Sequence, residues 1–131
     1  MKATLFFTFL FSLILLAPEH TNAQLVLATA SDSVQIFTQW GKEKPLKKSS
    51  PKVLLMRIEN SNPQPVEVSF EVNFIDELKV VETSNVQKVQ IGAAKSTKPK
   101  RIKLKFKPAN YDPEQVDGVD VEILEVVKKT R

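Results

Sequence analysis

The stretch V66-E-V-S-F-E-V-N-F74 alternates without a break between apolar and polar residues. Valine or phenylalanine occupies every even-numbered position, and glutamate, serine or asparagine occupies every odd one. Successive side chains of a β-strand point to opposite faces, so this period of two predicts a strand with one buried face and one wet face.

Other segments repeat the pattern. In R101-I-K-L-K-F-K107 the apolar residues share one face and four cations share the other. V119-D-V-E-I-L-E-V-V127 begins in the same way, but Leu124 breaks the alternation, which predicts either a bulge or a switch between sheets. Further strands are predicted at 34–38, 53–59 and 86–91, a short one at 79–81, and either an edge strand or a flexible terminus at 25–29.

The breaks between these strands are rich in turn residues. N60-S-N-P-Q-P65 cannot continue a strand, because proline donates no hydrogen bond to a neighbouring strand. In the longest break, Asp112-Pro113-Glu114 predicts a single helical turn that begins at Asp112. About seven short strands in roughly 100 residues, with no helical periodicity, predict an all-β, immunoglobulin-like β-sandwich over residues 34–131, preceded by the flexible or edge segment 24–33.

The N-terminus predicts export. Lys2 is followed by an apolar run to Ala17 and then by T21-N-A23, the features of a secretory signal peptide cleaved after Ala23. A membrane anchor is less favoured, because spanning a bilayer takes about 20 apolar residues. We therefore expect signal peptide 1–23, a secreted or periplasmic protein, and no membrane span in the mature form.

Removal of the leader limits the chemistry. His20 is the only histidine and the chain has no cysteine, so the mature protein would lack both imidazole and thiol. Disulfides, cysteine or histidine catalysis, and the preferred ligands of zinc and copper are then excluded. Ser49 and Ser50 are close to lysines in the sequence, but this adjacency is what a polar loop between strands would also show. The acids of segment 111–122 do not follow the spacing of a calcium-binding loop. We expect a non-catalytic protein with no cofactor and no metal.

Three segments carry a resemblance to a known group. Q39-W-G-K-E-K-P-L-K-K48, the stretch from Val53 to Phe74, and I91-G-A-A-K95 resemble small secreted immunoglobulin-like proteins of Bacteroidetes, similar in outline to FxLYD and CARDB-type domains. The resemblance implies a sandwich and an exported location, and no activity. The chain departs from the pattern at F74-I-D-E-L-K79, which lacks the glycine usual after such a strand.

One segment suggests a binding surface. Alternation places cations of K98-P-K-R-I-K-L-K-F-K107 on one face, about 7 Å apart, where they could engage an anionic glycan, lipid headgroups or, least favoured, nucleic acid. The alternative is a solvated face that blocks edge-to-edge pairing. A neighbouring strand 66–74 would neutralise the row with glutamates, whereas strand 53–59, which the resemblance slightly favours, would add Arg57. The candidate anion-binding residues are Lys98, Lys100, Arg101, Lys103, Lys105 and Lys107.

Trp40 is the remaining candidate. It is predicted to plug one end of the core, and the alternative is an exposed contact for a sugar or a partner. Taken with the mild net charge of +4, these features predict an interaction or structural module that binds another protein or a cell-envelope component. The alternative hypothesis is a protein that binds a polyanion or glycan through segment 98–107.

Overall fold

The computed structural model describes residues 25–44 and 46–129. The predicted signal peptide, with Ala23 and His20, lies outside the described residues. The elements in chain order are β1 (Val26–Ser31), β2 (Val34–Lys42), β3 (Lys52–Asn60), β4 (Val66–Asp76), β5 (Lys79–Thr83), β6 (Gln87–Ile91), β7 (Lys100–Phe106), a 3-10 turn (Pro113–Gln115) and β8 (Gly118–Lys128).

The strands form two antiparallel sheets. Sheet A has the order β1-β2-β3-β7. Sheet B is centred on β4, which pairs with β8 along one edge and with β6 and then β5 along the other. The prediction of an all-β protein is confirmed, and of the two alternatives for 25–29, an edge strand or a flexible terminus, the edge strand is present as β1. The sheets pack face to face around one core, the arrangement of a β-sandwich.

The core is made by the apolar phase of each alternating strand. The side chains of Val66, Val68, Phe70, Val72 and Phe74 on β4 are all buried, as the opening stretch predicts. They meet the inner residues of β2 and β3, and the half-buried Ile102, Leu104 and Phe106 of β7. A fully buried side chain of this size stabilises the fold by roughly 1.5–3 kcal/mol, so the core needs no disulfide.

Leu124 is the extra residue of a β-bulge. Ser69 pairs with Glu125 and the next residue, Phe70, pairs with Ile123, so Leu124 has no partner on β4. The bulge prediction is confirmed, and the alternative of a switch between sheets is wrong. The bulge shifts the phase of β8 by one residue and leaves Leu124 43% exposed.

Two hairpins have tight turns that contain no glycine. Glu77 and Leu78 connect β4 to β5 with φ angles of 50° and 68°. Asp32 and Ser33 connect β1 to β2 with φ angles of 50° and 63°. Positive φ at both positions is the geometry of a two-residue hairpin turn, which glycine and asparagine adopt at lower cost. The segment that departs from the expected pattern is therefore still a tight hairpin.

One end of the sandwich is held by a buried amide network. Asn60 is fully buried, and its Nδ2 donates hydrogen bonds to the carbonyl oxygens of Gln64 and Gly92. Its Oδ1 accepts from the backbone and side-chain N–H groups of Asn62, which also donates to the Asp32 carbonyl. The Asn60-Ser-Asn62 motif thus connects three loops, and both the oxygen and the nitrogen of the Asn60 side-chain amide are used.

The opposite end contains the predicted helical turn. Pro113–Gln115 forms one 3-10 turn, and the Asp112 side chain accepts a hydrogen bond from the Glu114 backbone N–H at 3.0 Å. A capping aspartate followed by proline at the first helical position starts a turn of this kind. The single helical turn expected from the sequence is confirmed.

Candidate binding face on sheet A

The basic strand pairs with β3. Arg57 lies directly opposite Lys103, and the next pair on the same face is Leu55 opposite Lys105. Of the two neighbours weighed for the basic strand, segment 53–59 is therefore the correct one, and Arg57 does join the cations. The same register also places Glu59 opposite Arg101, so an acid lies within the basic face.

Only part of the predicted cation row lies on this face. Arg101, Lys103 and Lys105 alternate outward along β7, and Lys107 follows just after the strand ends. Lys100 has the opposite phase, and its side chain lies beside Gly92, within 3.7 Å of the position that a Cβ on that glycine would occupy. Lys98 belongs to a tight turn in which it pairs with Lys95.

Two glutamates partly neutralise the row. Glu59 Oε2 lies 2.8 Å from Arg57 Nε and 3.9 Å from Arg101 Nε, and the Glu59 side chain is only 10% exposed. The Arg57 Nε–H does not align with an acceptor, so this contact is a charge pair and not a hydrogen bond. At the other end of the row, Glu43 pairs with Lys107 at 3.8 Å. Within residues 25–44 and 46–129, Lys103 has no ion pair.

An open groove lies beside these cations on the outer face of sheet A. Its volume is about 620 Å³, within the range of small-ligand sites. Leu25 and Leu55 supply apolar surface, and Arg57, Lys103 and Lys105 supply positive charge. The residues that line the groove are Leu25, Gln39, Leu55, Met56, Arg57, Lys103, Leu104 and Lys105.

Two contacts shape the floor of the groove. A Cβ atom on residue 41 would lie only 2.8 Å from Leu55 Cδ1. Because Gly41 has no side chain, the Leu55 side chain can occupy this space. The Arg57 guanidinium lies 4.8 Å from the centre of the Phe37 ring, the distance of a cation–π contact. The groove therefore combines an apolar floor with positive charge held in a fixed position.

The apolar half of this face was not predicted from the sequence, although two residues carried a signal for it. Phe37 occupies the polar phase of V34-Q-I-F-T38, and Leu55 occupies the polar phase of V53-L-L-M-R-I-E59. Single apolar residues are common on a protein surface, but two large ones on the solvent side of paired strands point to a candidate binding surface.

Trp40 lies at the end of sheet A near the 3-10 turn. Its side chain is half-buried and packs against the core, with Lys52 Nζ 4.6 Å above the ring centre. Lys52 also donates a hydrogen bond to the Val116 carbonyl at 2.9 Å. Trp40 therefore closes this end of the hydrophobic core, and the ammonium group of Lys52 lies over its ring.

The other chemical candidates do not assemble into sites. Across the two described ranges, no three His, Cys, Asp or Glu side chains lie close enough to hold a metal ion. The Ser50 hydroxyl accepts a hydrogen bond from the Lys44 backbone N–H at 2.6 Å, which closes its own loop. The described residues include no helix long and apolar enough to cross a bilayer.

The fold and this face together define an all-β sandwich protein with a mixed apolar and cationic surface on one sheet. Comparison with protein-family models, with curated proteins and with solved structures finds no match to this chain. The resemblance to the Bacteroidetes sandwich proteins therefore stays a prediction.

Proposed function

We propose that this protein is a non-catalytic, immunoglobulin-like interaction module whose working surface is the outer face of sheet A. The observation that carries the proposal is the groove, in which Leu25 and Leu55 lie beside Arg57, Lys103 and Lys105. An apolar floor with a few placed charges is typical of a binding site. A solvated face that serves only solubility needs no such floor.

The immunoglobulin-like assignment is supported by how the chain crosses between sheets. The chain passes from sheet A to sheet B at β3–β4 and again at β7–β8, and β3 neighbours β7 while β4 neighbours β8. Strands B, C, E and F of an immunoglobulin domain have this same relation.

The ligand that suits this face carries negative charge beside apolar surface. A long polyanion would need an uninterrupted row of cations, but Glu59 and Glu43 lie among the cations at either end of β7. Lys103 stands between these two ends and borders the groove. A protein partner with carboxylates around an exposed apolar side chain fits both halves of the face.

The fluorescent probe 8-anilinonaphthalene-1-sulfonate tests the proposal, because it joins an apolar ring system to one negative charge. We expect its fluorescence to rise on binding the folded protein, and the apparent affinity to fall several-fold in K103E and in L55E. Raising the salt concentration should weaken binding, because solvent-exposed charges are screened.

The matched control is Glu71→Gln, on the outer face of sheet B, which should leave probe binding unchanged. Far-UV circular dichroism and a cooperative thermal transition would verify that each variant is folded. Probe binding that is absent in the wild type, or equal in wild type, K103E and L55E, would contradict the assignment of this face.

A second candidate function is the binding of a linear polyanion or anionic glycan. It is favoured by the outward alternation of Arg101, Lys103 and Lys105, about 7 Å apart along the strand. Heparin-agarose separates the two proposals. A polyanion site predicts elution only at high salt and a large decrease in R101E and K103E, whereas the groove proposal predicts weak retention and sensitivity to L55E.

We also propose that the protein is exported, which rests on the sequence from Lys2 to Ala23. Expression of the full-length chain followed by intact mass measurement of the exported form tests this. The expected mass is that of a chain that begins at Gln24. A mass that retains His20 would contradict it.

A further inference from the structure

The outer face of sheet B is the electrostatic opposite of the outer face of sheet A. Its alternating outward positions carry five acids and a single lysine, and none of these acids forms an ion pair within the two described ranges. Sheet A presents four cations and one acid at the equivalent positions. The acids are Glu67, Glu71, Asp120, Glu122 and Glu125, and the lysine is Lys88.

Sheet B keeps an unfavourable charge pair at its centre. Glu71 and Glu122 are direct neighbours across β4 and β8, and like charges in that position destabilise a sheet. No cation is paired with either of them within residues 25–44 and 46–129. A cationic surface placed over this face would convert the repulsion into attraction.

The β8 bulge adds an apolar side chain to the acidic face. Leu124 is 43% exposed and lies in sequence between the exposed Glu122 and Glu125, near the centre of the strand. Sheet A has the complementary arrangement, because its groove offers the apolar surface of Leu25 and Leu55 beside cations. One face therefore has an apolar projection flanked by carboxylates, and the other has an apolar depression flanked by cations.

We propose that the partner of the sheet A face is a second copy of this chain, which docks through the outer face of its sheet B. Leu124 of one molecule enters the groove of the next, with its flanking Glu122 and Glu125 directed toward Lys103 and Lys105. This inference rests on the proposed function, since it names the partner of the same groove.

The contact joins two different faces, so a pair of molecules keeps one free face of each kind, one on each molecule. Such heterologous contacts build open chains unless the rotation between copies closes a ring. In sheet A, four strands about 4.8 Å apart and about seven residues long give a face of roughly 450 Å², which is smaller than the roughly 800 Å² per partner of a stable complex. The association is therefore weak, dependent on concentration and sensitive to salt.

Sedimentation equilibrium of the protein purified from expression of the full-length chain tests this, with its intact mass recorded. The weight-average mass should rise with concentration toward several hundred micromolar in 20 mM salt and return to the monomer in 500 mM salt. K103E/K105E and E122K/E125K should each remain monomeric at all concentrations. All four substituted residues are exposed, and L124S serves as a second, uncharged variant of the acidic face.

Mixing the two charge variants gives the deciding result. K103E/K105E retains the native sheet B face and E122K/E125K retains the native sheet A face, so an equimolar mixture should associate although neither variant does so alone. A compact dimer that persists in 500 mM salt and in both variants would instead indicate pairing at the β1 edge and would overturn the proposal.

The failure of this inference can be told apart from the failure of the proposed function. A wild type that stays monomeric at all concentrations, while the groove still binds anilinonaphthalene sulfonate, would overturn self-association and leave the function of the groove standing. Loss of probe binding together with a monomeric wild type would overturn both.

Discussion

Sheets A and B are both built from strands that alternate apolar and polar residues, but the side chains on their inner and outer faces differ. The inner face of β4 in sheet B is entirely apolar from Val66 to Phe74, whereas β3 in sheet A ends its inner face on the buried amide of Asn60. The outer faces differ in sign, with cations on β7 and acids on β4 and β8. A period of two requires only that one side be apolar, so the polar side is free to carry any charge.

The difference extends to how each sheet tolerates its own charges. Arg57 and Lys103 are direct neighbours in sheet A, and Glu59 lies 2.8 Å from the Arg57 guanidinium nitrogen Nε. Glu71 and Glu122 are direct neighbours in sheet B with no such counter-ion in the part of the chain described. The basic face thus has an acid beside one of its two opposed cations, whereas neither of the opposed acids has an ion pair among the described residues.

The largest expected effect concerns Asn60, a fully buried polar residue on the inner face of sheet A. Asn60→Ala would leave the Gln64 and Gly92 carbonyl oxygens and the Asn62 backbone N–H without their partners. Gln64 and Gly92 are exposed, so water can reach their carbonyl oxygens, but the Asn62 N–H is buried. A buried group left unsatisfied costs about 1–3 kcal/mol, so we expect a loss of about that size in the free energy of unfolding. Denaturant unfolding followed by the fluorescence of Trp40, the only tryptophan, measures it.

Ser61→Ala is the matched control for this prediction. Ser61 is exposed, and its hydrogen bond to the Ser33 carbonyl comes from its backbone N–H, which alanine retains. Its free energy of unfolding should stay within about 0.5 kcal/mol of the wild type. Similar stabilities for Asn60→Ala and Ser61→Ala would show that the amide network does not hold this end of the sandwich.

A smaller effect is expected at the hairpin of sheet B. Leu78 is 98% exposed with φ of 68°, a left-handed conformation that costs a residue with a Cβ about 1–2 kcal/mol. Leu78→Gly removes that cost, while glycine adds freedom to the unfolded chain worth about 0.4–1 kcal/mol. We expect a net gain of about 0.5–1 kcal/mol in thermal or denaturant unfolding.

Leu78→Ala separates backbone strain from the exposed side chain. Alanine removes the apolar surface but keeps the Cβ, so it should give no comparable gain. In sheet A, Ser33 occupies the equivalent turn position with φ of 63°, and Ser33→Gly should stabilise in the same direction. Equal stability of Leu78→Ala and Leu78→Gly would contradict the strain argument.

The charge difference between the outer faces predicts a still smaller effect on stability. Glu71→Gln removes half of the opposed pair with Glu122 and should stabilise the monomer by about 0.2–0.5 kcal/mol at low salt. Lys103→Gln on sheet A should change stability less, because Arg57 already has Glu59 beside it. Thermal unfolding of both variants at low and at high salt tests this, and equal responses would contradict the comparison.

The sequence was sufficient for the parts of the fold that alternation controls. The strand from Val66 to Phe74, the basic strand and the irregularity at Leu124 all followed from which residues are apolar. The choice between a bulge and a switch of sheets at Leu124 did not, because it depends on the pairing with β4. The pairing of β7 with β3 was only weakly favoured beforehand, because strand order depends on long-range packing that a local pattern does not contain. The resemblance to a known group, and not the pattern, pointed to it.

The candidate site was predicted less completely, for a physical reason. Alternation identified Arg101, Lys103 and Lys105 as outward cations, but Glu59 and Glu43 approach them from other segments of the chain. The apolar floor of the groove also comes from other segments, with Leu55 on β3 and Leu25 just before β1. A site on a sheet face combines residues from neighbouring strands. The pairing register decides which of these residues meet, and the sequence of one strand does not specify that register.

The smallest effect is a titration at the end of sheet B. The Tyr111 hydroxyl donates a hydrogen bond to Asp76, which raises the pKa of this phenol above its ordinary value of 10.0, with burial and the negative charges of Asp76, Glu77 and Asp112 adding to the shift. Tyr111 is the only tyrosine, so absorbance at 295 nm reports it alone. We expect the midpoint to lie above pH 10 in the wild type and to fall toward 10 in Asp76→Asn.

The stability linked to this phenol follows from the direction of the shift. A folded-state pKa above the unfolded value means that the contribution is fully present below about pH 10 and is lost as pH rises through the folded-state pKa. Tyr111→Phe should therefore lose less stability than the wild type across that alkaline range. Asp112→Asn is the control, because Asp112 contributes least to the shift, and its midpoint should stay close to that of the wild type. An equal decrease in Asp76→Asn and Asp112→Asn would indicate that general negative charge, and not the hydrogen bond, controls this tyrosine.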